Sequence, residues 1–581
     1  MVKRTLAFFI PLMMFFFPSG EAVAQQFNPE VTPADSLKKF DRPHGDSIIQ
    51  FNQFGSFGLF SNGISASVRT DKYTVAPRYN YRNFDGYRVH SNEYSHTLNL
   101  MLETTPSVNT TLQITGNYFT GADKRPGSLT KSEFGQDPFQ ADPRAVNRDE
   151  KRVATRENLD INYSAAFGKS LNQKIEISGN GVIEYFERST REYKITTRYI
   201  MGVAARYIYT GWFWHRKSEF TVGGGLLHQP ERKEEYENFS GQKSDWLEQI
   251  ETEKTSTASC YLSENFEVVQ RKLFALVTGR YNHVIYSVAE QMSPSLSDTK
   301  RYDALTPELA LNYIVIPALT LFASYEVNFR NPTDKELESP NPASLYNREL
   351  MPQTSAIVKA GFKTSFAKKG TALFFKSLYC KAYFFSTKID EEIVPYEIFG
   401  DEYFRNATRT TRYGVVLESR MELYKELFFS VDYAYAHYIY NAYTANSWET
   451  DSTGNIVNIY RDFAGKSEPN IPRNKLGLSL YYKHPVGKKT GIFVKASYQY
   501  LSGLWVDDGN TGQTGSYSLV NAVLGFDIKL KHFIISASGG VNNLFDQVYA
   551  GYANINSADK RFYNAGAPRN FPGSVNIGYV F

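Results

Sequence analysis

Four arginines in one polar stretch of the chain are the residues best suited to hold an anionic ligand. They are Arg125, Arg144, Arg148 and Arg152. A guanidinium group can donate two parallel hydrogen bonds to a carboxylate, so such a cluster could bind a carboxylate-bearing ligand. The same stretch also contains the acidic residues Asp123, Glu133, Asp137, Asp142, Asp149 and Glu150. We therefore favour a solvated loop whose charges pair with one another, and keep ligand contact as the alternative.

A second charged stretch could collect a hard cation through oxygen ligands. It contains Glu231, Glu234, Glu235 and Glu237, and an exposed charged loop is again the favoured interpretation. The nine histidines are scattered without an HExxH pattern, and neither Cys260 nor Cys380 belongs to a CxxC pair. We predict no catalytic, cofactor-binding or metal-binding residues, so an enzyme is the weak alternative. The 64 basic and 60 acidic residues are too balanced to favour nucleic acid as a partner.

The first 24 residues have the pattern of a cleavable signal peptide. Lys3 and Arg4 precede an apolar run at residues 6–17, and Ala22-Val23-Ala24 supplies the small residues of an A-x-A cleavage site. No later stretch approaches 18 uninterrupted apolar residues. We therefore predict export, followed by a disordered periplasmic segment at residues 25–45, whose polar, proline-rich composition is too short to fold alone.

From residue 46 onward the hydrophobic pattern has a period of two, which predicts β-strands. Aromatic residues make up 15% of the chain, as the aromatic girdles of a membrane barrel require. Strand-like runs of about 10 to 15 residues are long enough to cross a bilayer when tilted. One run shows the pattern clearly, with Leu476, Leu478, Leu480 and Tyr482 on one face and Lys475, Gly477, Ser479, Tyr481 and Lys483 on the other.

The connections alternate between short and long, which distinguishes a membrane barrel from a soluble sandwich. Short turns include Thr70-Asp71, Gln270-Arg271 and Leu530-Lys531. Longer loops are predicted at residues 121–155, 229–251, 331–351, 390–407, 441–473 and 546–570, with a small first loop near Asn62-Gly63. About 10 turns and 11 loops predict an all-β, transmembrane antiparallel barrel of about 22 strands over residues 46–581, with outer-membrane lipid around it.

The last strand supports the same fold. Val575, Ile577, Tyr579 and Phe581 alternate with Ser574, Asn576, Gly578 and Val580, and the chain stops on an aromatic residue. A terminal phenylalanine on an amphipathic strand is the feature that the barrel-assembly machinery of Gram-negative bacteria recognises. The predicted location is therefore the outer membrane of a Gram-negative bacterium.

Several short motifs resemble those of one family, the TonB-dependent outer-membrane receptors of the ferric-siderophore and ferric-citrate type. The motifs are DGYR at 85–88, PGSLT at 126–130, FRNPT at 329–333, WVDDGNT at 505–511, GVNNLFD at 540–546 and RFY at 561–563. The family-like structural signature comprises Asn542, Asn543, Leu544, Phe545, Asp546, Arg569, Tyr579 and Phe581. The resemblance implies a 22-stranded barrel, uptake of a ferric siderophore or similar chelate, and energy supplied by the TonB system.

The resemblance covers the barrel and not the family's plug, the globular domain that normally occupies the lumen. Residues 25–45 are too few to form it, and we find no convincing TonB-contacting box. We therefore expect a barrel without an N-terminal plug, which a separate plug chain could complete. The alternatives are a passive or partner-gated pore and a surface-binding barrel whose loops contact protein or glycan.

A 22-stranded ring without a plug should enclose water, because barrels of 16 to 18 strands already contain an aqueous channel. We therefore predict that this chain, purified and folded, forms a large and weakly selective pore in planar bilayers. Electrical silence from a verified folded barrel would show instead that loops or another segment close the lumen.

Overall fold

The computed structural model describes residues 46–581 except 294–296, 342–343, 368–374, 399–400, 424–425, 451–452 and 454. The predicted signal peptide, residues 1–24, and the predicted periplasmic segment, residues 25–45, lie outside the described residues. The described part contains three short helices, α1 (Lys131–Gln136), α2 (Pro143–Asn147) and α3 (Asp334–Leu337). None of these described helices is long and apolar enough to cross a membrane.

Twenty-two antiparallel strands form one closed sheet, and two small hairpins lie in the loops. The ring consists of β1 (Ser47–Gly55), β2 (Phe60–Arg69), β3 (Tyr73–Phe84), β4 (Glu93–Ser107), β5 (Thr110–Lys124), β6 (Lys151–Phe167), β7 (Gln173–Ser189), β8 (Glu192–Phe213), β9 (Arg216–Phe239), β10 (Gln242–Val269), β11 (Leu273–Glu290), β12 (Ser297–Ile316), β13 (Leu319–Arg330), β14 (Gln353–Ala367), β15 (Ser377–Ile398), β16 (Asp401–Glu422), β17 (Leu427–Ala442), β20 (Asn474–Val486), β21 (Thr490–Leu501), β22 (Tyr517–Lys529), β23 (Phe533–Val541) and β26 (Pro572–Val580). The loop hairpins are β18 (Thr444–Thr450) with β19 (Ile456–Asp462), and β24 (Ala550–Ala553) with β25 (Tyr563–Ala565). The predicted fold class and the 22 strands are confirmed.

The ring closes where the first strand pairs with the last. β1 and β26 pair from Ser47↔Val580 to Gly55↔Pro572, and the Phe581 N–H donates to the Asp46 carbonyl over 3.0 Å. On its other side β26 pairs with β23, where the Tyr579 ring meets Phe533 edge-on at 5.0 Å between centroids. Closure gives each described strand of the ring a paired neighbour on both sides, as a strand structure in hydrocarbon requires.

Two predicted loops are instead continuations of strands. Residues 229–251 belong to β9 and β10, which are 24 and 28 residues long, and residues 390–407 belong largely to β15 and β16. The polar composition of 229–251 suggested a loop, but its charges alternate and face opposite charges across the ladder, for example Arg198↔Glu231 and Glu251↔Lys233. The turn needs only Ser240 and Gly241, both with positive φ (48° and 83°), as in a tight hairpin turn.

The first loop also differs from the prediction. Asn62 and Gly63 lie inside β2, and the connection between β1 and β2 is formed by residues 56–59. The alternating pattern continues through Asn62-Gly63, because Asn62 pairs with Asn52 in the ladder and donates to its side chain over 2.5 Å.

Several inward-facing charges within the ring are paired with opposite charges. The Lys483 ammonium lies 2.7 Å from the Asp527 carboxylate, and the Arg420 guanidinium lies 2.8 Å from Asp432. Large apolar side chains such as Leu480 and Ile492 stand exposed on the opposite face. The strands therefore present an apolar surface outward and a polar one to the lumen, as in membrane barrels.

We predict that replacing Tyr579 and Phe581 together by Asp prevents assembly. Both side chains lie on the outward face of the closing strand, where a carboxylate would face lipid and disturb the pairing that completes the ring. The measurement is the amount of heat-modifiable, folded protein in outer membranes. Asn576→Asp is the matched control, because it places a carboxylate on the inward face of the same strand. Equal folded levels of the double variant and the control would contradict the prediction.

Candidate functional site

The four arginines selected from the sequence lie in or beside the β5–β6 connection. This connection lies at the barrel end that also carries the long β13–β14, β17–β20, β21–β22 and β23–β26 connections, which we call the mouth. All four are paired with carboxylates. Arg144 contacts Asp142 at 2.9 Å and Asp559 at 2.7 Å, and Arg152 contacts Asp123 at 2.9 Å. The remaining contacts are longer, 3.5 Å from Arg125 to Asp123 and 3.6 Å from Arg148 to Glu150. The geometry therefore shows a loop whose charges are internally paired.

The connection between β23 and β26, which we call the final loop, is bound to this arginine-bearing loop. Arg561 donates to both carboxylate oxygens of Glu133 at 2.8 and 2.9 Å. Leu129 and Tyr563 exchange two backbone hydrogen bonds of 2.9 and 3.0 Å, and Leu129 is fully buried. Burial acts to raise the pKa of Glu133, but hydrogen bonds from the Thr130 backbone and from Arg561 hold that pKa below its usual value. The Glu133 carboxylate is thus stabilised in its charged form.

Arg88 ties a third loop to the same two. Its guanidinium group is buried and donates to the Gly127 carbonyl at 2.8 Å, to the Gln140 carbonyl at 3.0 Å and to the Asn564 side chain at 3.4 Å. Burial lowers the pKa of Arg88, since the charged form loses contact with water. Its donors are used on neighbouring loops, so its role in this structure is to hold them together.

Asp508 anchors the final loop on its other side. Only 1% of this residue is exposed, and its carboxylate accepts from the hydroxyls of Tyr440 at 2.8 Å and Tyr443 at 3.0 Å, with the Arg405 guanidinium at 3.4 Å. Burial raises the pKa of Asp508, and Arg405 opposes that shift. This one carboxylate joins the β21–β22 loop to the β17–β20 segment and to β16.

The final loop spans these two anchor regions. The Asn556 side chain accepts from the Asp508 backbone at 2.9 Å and donates to the Pro395 carbonyl of β15 at 2.8 Å. Five residues further along, Arg561 binds Glu133 in the β5–β6 loop. Since β15 and β6 are far apart around the ring, residues 556–561 act as a strap that connects separate parts of the mouth.

The β13–β14 loop packs inward against the nearby strands of the barrel wall. Leu337, Tyr346 and Leu350 are buried against Val284 and Tyr286 of β11. The loop is held as well by Lys233, which contacts Glu338 at 3.3 Å and Glu253 at 2.9 Å. Helix α3 begins with a capping box in which Thr333 and Glu336 bond reciprocally. The loop therefore has its own small core inside the mouth.

The four glutamates of the second charged stretch do not form a cation site. Glu234 lies on the opposite strand face from Glu231, and each is paired, with Arg232 at 2.8 Å and with Arg198, respectively. Glu235 contacts Lys194 at 2.6 Å. Among the described residues no three His, Cys, Asp or Glu side chains are grouped as a metal site would require, and Cys260 and Cys380 are both free thiols.

The signature residues shape the turn that follows β23. The Asn543 side chain accepts from the Gln547 N–H at 2.9 Å and donates to the Gln547 and Ala567 carbonyls at 2.8 and 3.2 Å. Asn543 has a φ of 48°, which asparagine tolerates better than most residues. The Asp546 carboxylate accepts from the Arg569 N–H at 2.8 Å. Phe545, by contrast, is largely exposed.

Several of the strongest contacts were missed in the sequence. Asp508 lies in the WVDDGNT motif and Arg561 in the RFY motif, but neither motif indicates that these residues anchor the loops. Arg405, Tyr440 and Tyr443 had no local signal, because their partner lies some 65 to 103 residues away.

The closed ring of 22 antiparallel strands, with short turns at one end and packed loops at the other, defines a large outer-membrane transport barrel. A family model described as "TonB dependent receptor-like, beta-barrel" matches residues 38–544. The chain belongs to this family, whose members are transport receptors of the Gram-negative outer membrane, as the resemblance indicated.

Individual relatives are more distant. The "Ferrioxamine B receptor" of Salmonella typhimurium (strain SL1344) is 26% identical over 302 residues, which cover 52% of this chain and 38% of that protein. The chain thus spans less than half the length of that curated relative. Among solved structures, the unliganded ferric citrate transporter FecA has a TM-score of 0.73 at 17% identity, over 92% of this chain and 78% of that one. The ferric preacinetobactin receptor BauA from Acinetobacter baumannii has a TM-score of 0.70 at 12% identity, over 92% and 80%. At these identities the structural likeness shows the fold.

We predict that Asp508→Asn loosens the loops without unfolding the barrel. The substitution leaves the Arg405 charge buried without its carboxylate, and removing one partner of a buried pair costs about 3 to 5 kcal/mol. Hydrogen exchange at residues 502–516 and 556–561 should accelerate on the order of a hundredfold, while the strands stay protected. Asp507→Asn is the control, because the Asp507 carboxylate accepts from Thr511 within its own loop. The same exchange rates in both variants would show that Asp508 is not an anchor.

Proposed function

We propose that this chain is the barrel of a receptor that takes a ferric siderophore, or a similar ferric chelate, across the outer membrane with energy from the TonB system. The observation that carries the proposal is the family match over residues 38–544. Three of the similar proteins support the ligand class, since they are a ferrioxamine B receptor, a ferric citrate transporter and a ferric preacinetobactin receptor.

We propose the domain organisation that the sequence suggested: a signal peptide at residues 1–24, a periplasmic segment at 25–45 and the barrel at 46–581. The partners would be the barrel-assembly machinery during insertion, outer-membrane lipid afterwards, and a TonB system with a separate plug during uptake. The packed loops of the mouth support gating, because the strap at residues 556–561 couples loops from separate parts of the ring.

The arginine-bearing loop stays the proposed ligand contact, but the proposal now rests on one of its four arginines. Arg144 and Arg152 are held by carboxylates at 2.7 to 2.9 Å, so a ligand would gain little by competing for them. Arg148 is the better candidate because its contact with Glu150 is 3.6 Å long and its guanidinium is about one third exposed. A carboxylate or hydroxamate oxygen of a chelate could replace Glu150 at this guanidinium.

We expect cells that carry the gene, in a host lacking its own siderophore receptors, to accumulate radioactive iron from at least one ferric chelate. Ferric citrate and ferrioxamine B are the first chelates to test. Loss of uptake in a strain without TonB is the expected result. Uptake that continues without TonB would favour the passive pore, and no uptake from a panel of hydroxamate, catecholate and carboxylate chelates would contradict the proposal.

Arg148→Gln should weaken binding of an anionic chelate by about fivefold, as expected when a charged hydrogen bond that competes with an internal partner is lost. Binding is measured by quenching of protein fluorescence. Arg69→Gln, at the opposite end of the barrel, is the control and should bind normally. Unchanged binding in Arg148→Gln would remove this loop as the contact while leaving uptake itself untouched.

A further inference from the structure

The outward face of the barrel contains a depression across β8 to β11, which we call the outer groove. Its volume is about 470 Å³, and it is lined by outward-facing Met201, Val203, Leu226, His228, Ser256, Ala258, His283 and Ile285, among others.

Strand register explains the groove. Ser256 of β10 lies between His228 of β9 and Ile285 of β11, and Ala258 lies between Leu226 and His283. The two small side chains of β10 therefore form the floor of the groove, between larger side chains on β9 and β11. Leu226 of β9 is 62% exposed and Val203 of β8 is 52% exposed. These two apolar side chains project outward and form one side of the groove.

The groove lies at the upper border of the apolar band. Towards the short-turn end, the next outward residues are Cys260, Leu262 and Leu305, and the last two are strongly exposed apolar side chains. Towards the mouth, the outward positions become basic. Arg301 lies directly across from Ile285, and Lys254 is two residues from Ser256 on the same strand face. An apolar depression therefore ends beneath two cations, at the depth where hydrocarbon gives way to headgroups.

The two cations are available to a ligand. Lys254 and Arg301 are exposed, and within the part of the chain that the structure describes neither has a carboxylate at ion-pairing distance. A third outward cation, Arg232, is already bound to Glu234 at 2.8 Å. The outward carboxylate two residues from Arg301, Asp303, is engaged by the His283 ring nitrogen at 2.7 Å and by the Tyr281 hydroxyl. The local charge therefore favours an anion.

We propose that the outer groove binds a phosphate-bearing lipid of the outer leaflet, with one acyl chain along Ser256 and Ala258 and the phosphate at Lys254 and Arg301. Lipid is the occupant that fits, because the face borders hydrocarbon on one side and the ligand must carry an anionic group next to an apolar chain. The His228 imidazole, which bonds to Ser256 at 2.9 Å through Nδ1, has its other ring nitrogen for a headgroup oxygen. The site depends on the outer-membrane location of the barrel and not on the proposed transport function.

Native mass spectrometry of the full, detergent-extracted chain tests the proposal, with the bisphosphorylated, hexa-acylated glucosamine disaccharide of outer leaflets as the probe. The double variant Lys254→Gln and Arg301→Gln should bind it at least about tenfold more weakly, since each cation near a lipid surface contributes about 1 kcal/mol. Ala258→Leu should also weaken binding by filling the groove without changing charge. Folding of every variant is verified by heat-modifiable mobility.

Two variants elsewhere on the outward face serve as controls. Arg409→Gln removes an exposed guanidinium that is already paired with Asp390 at 3.1 Å, and Ala360→Leu enlarges an exposed small residue of β14. Both should bind the lipid normally. Equal binding by all four variants would overturn the proposal, as would equal affinity for the dephosphorylated lipid. Displacement of the lipid by inorganic phosphate at equal concentration would also overturn it, by showing that the acyl chain contributes nothing.

Discussion

The structure depends on one constraint, which is that every backbone N–H and C=O in the hydrocarbon region must find a partner within the protein. In a sheet this is possible only when the first strand pairs with the last. The pairing of β1 with β26 over Ser47↔Val580 to Gly55↔Pro572 satisfies that constraint, although both strands are only nine residues long. Strands elsewhere in the ring reach 28 residues, far more than the closing strands. Long strands are therefore not needed to close the barrel; the pairing of its first and last strands is.

Once the ring is closed, its interior and mouth become a place where charges must be paired. Burying an ion costs free energy unless an opposite charge and hydrogen bonds compensate it. In the mouth, charged side chains of one loop form ion pairs with another segment, as Asp508 does with Arg405 and as Glu133 does with Arg561. Because these pairs lie between loops and not within them, the loops are coupled. Movement of the final loop would have to break contacts on both sides of the strap.

The sequence was sufficient for the features that repeat along the chain. Alternation of apolar and polar residues and short turns between longer loops predicted the strand number and the two faces of the barrel wall. The strand continuations at residues 229–251 were not predictable in the same way. Their Glu and Lys residues have the composition of a solvated loop, and only the cross-strand partners, such as Arg198 opposite Glu231, make them stable as a ladder. Contacts such as Asp508 with Tyr440 and Tyr443 join distant segments, so no local pattern could reveal them.

The motifs that carried the family resemblance turn out to be mostly parts of loop architecture. Asn543 and Asp546 fix the turn after β23, Thr333 caps α3, and the Arg88 guanidinium donates to the Gly127 carbonyl at 2.8 Å. Residues that cap helices and hold turns constrain the loop backbone, whichever ligand the barrel binds. The motifs shared with the family therefore indicate how the loops of the mouth are held together. Ligand preference must depend on other side chains, which project from these loops without stabilising them. Arg148, with its long contact to Glu150, is of that second kind. A substitution at Asn543 should therefore alter loop structure for every ligand, whereas one at Arg148 can change selectivity and leave the fold unchanged.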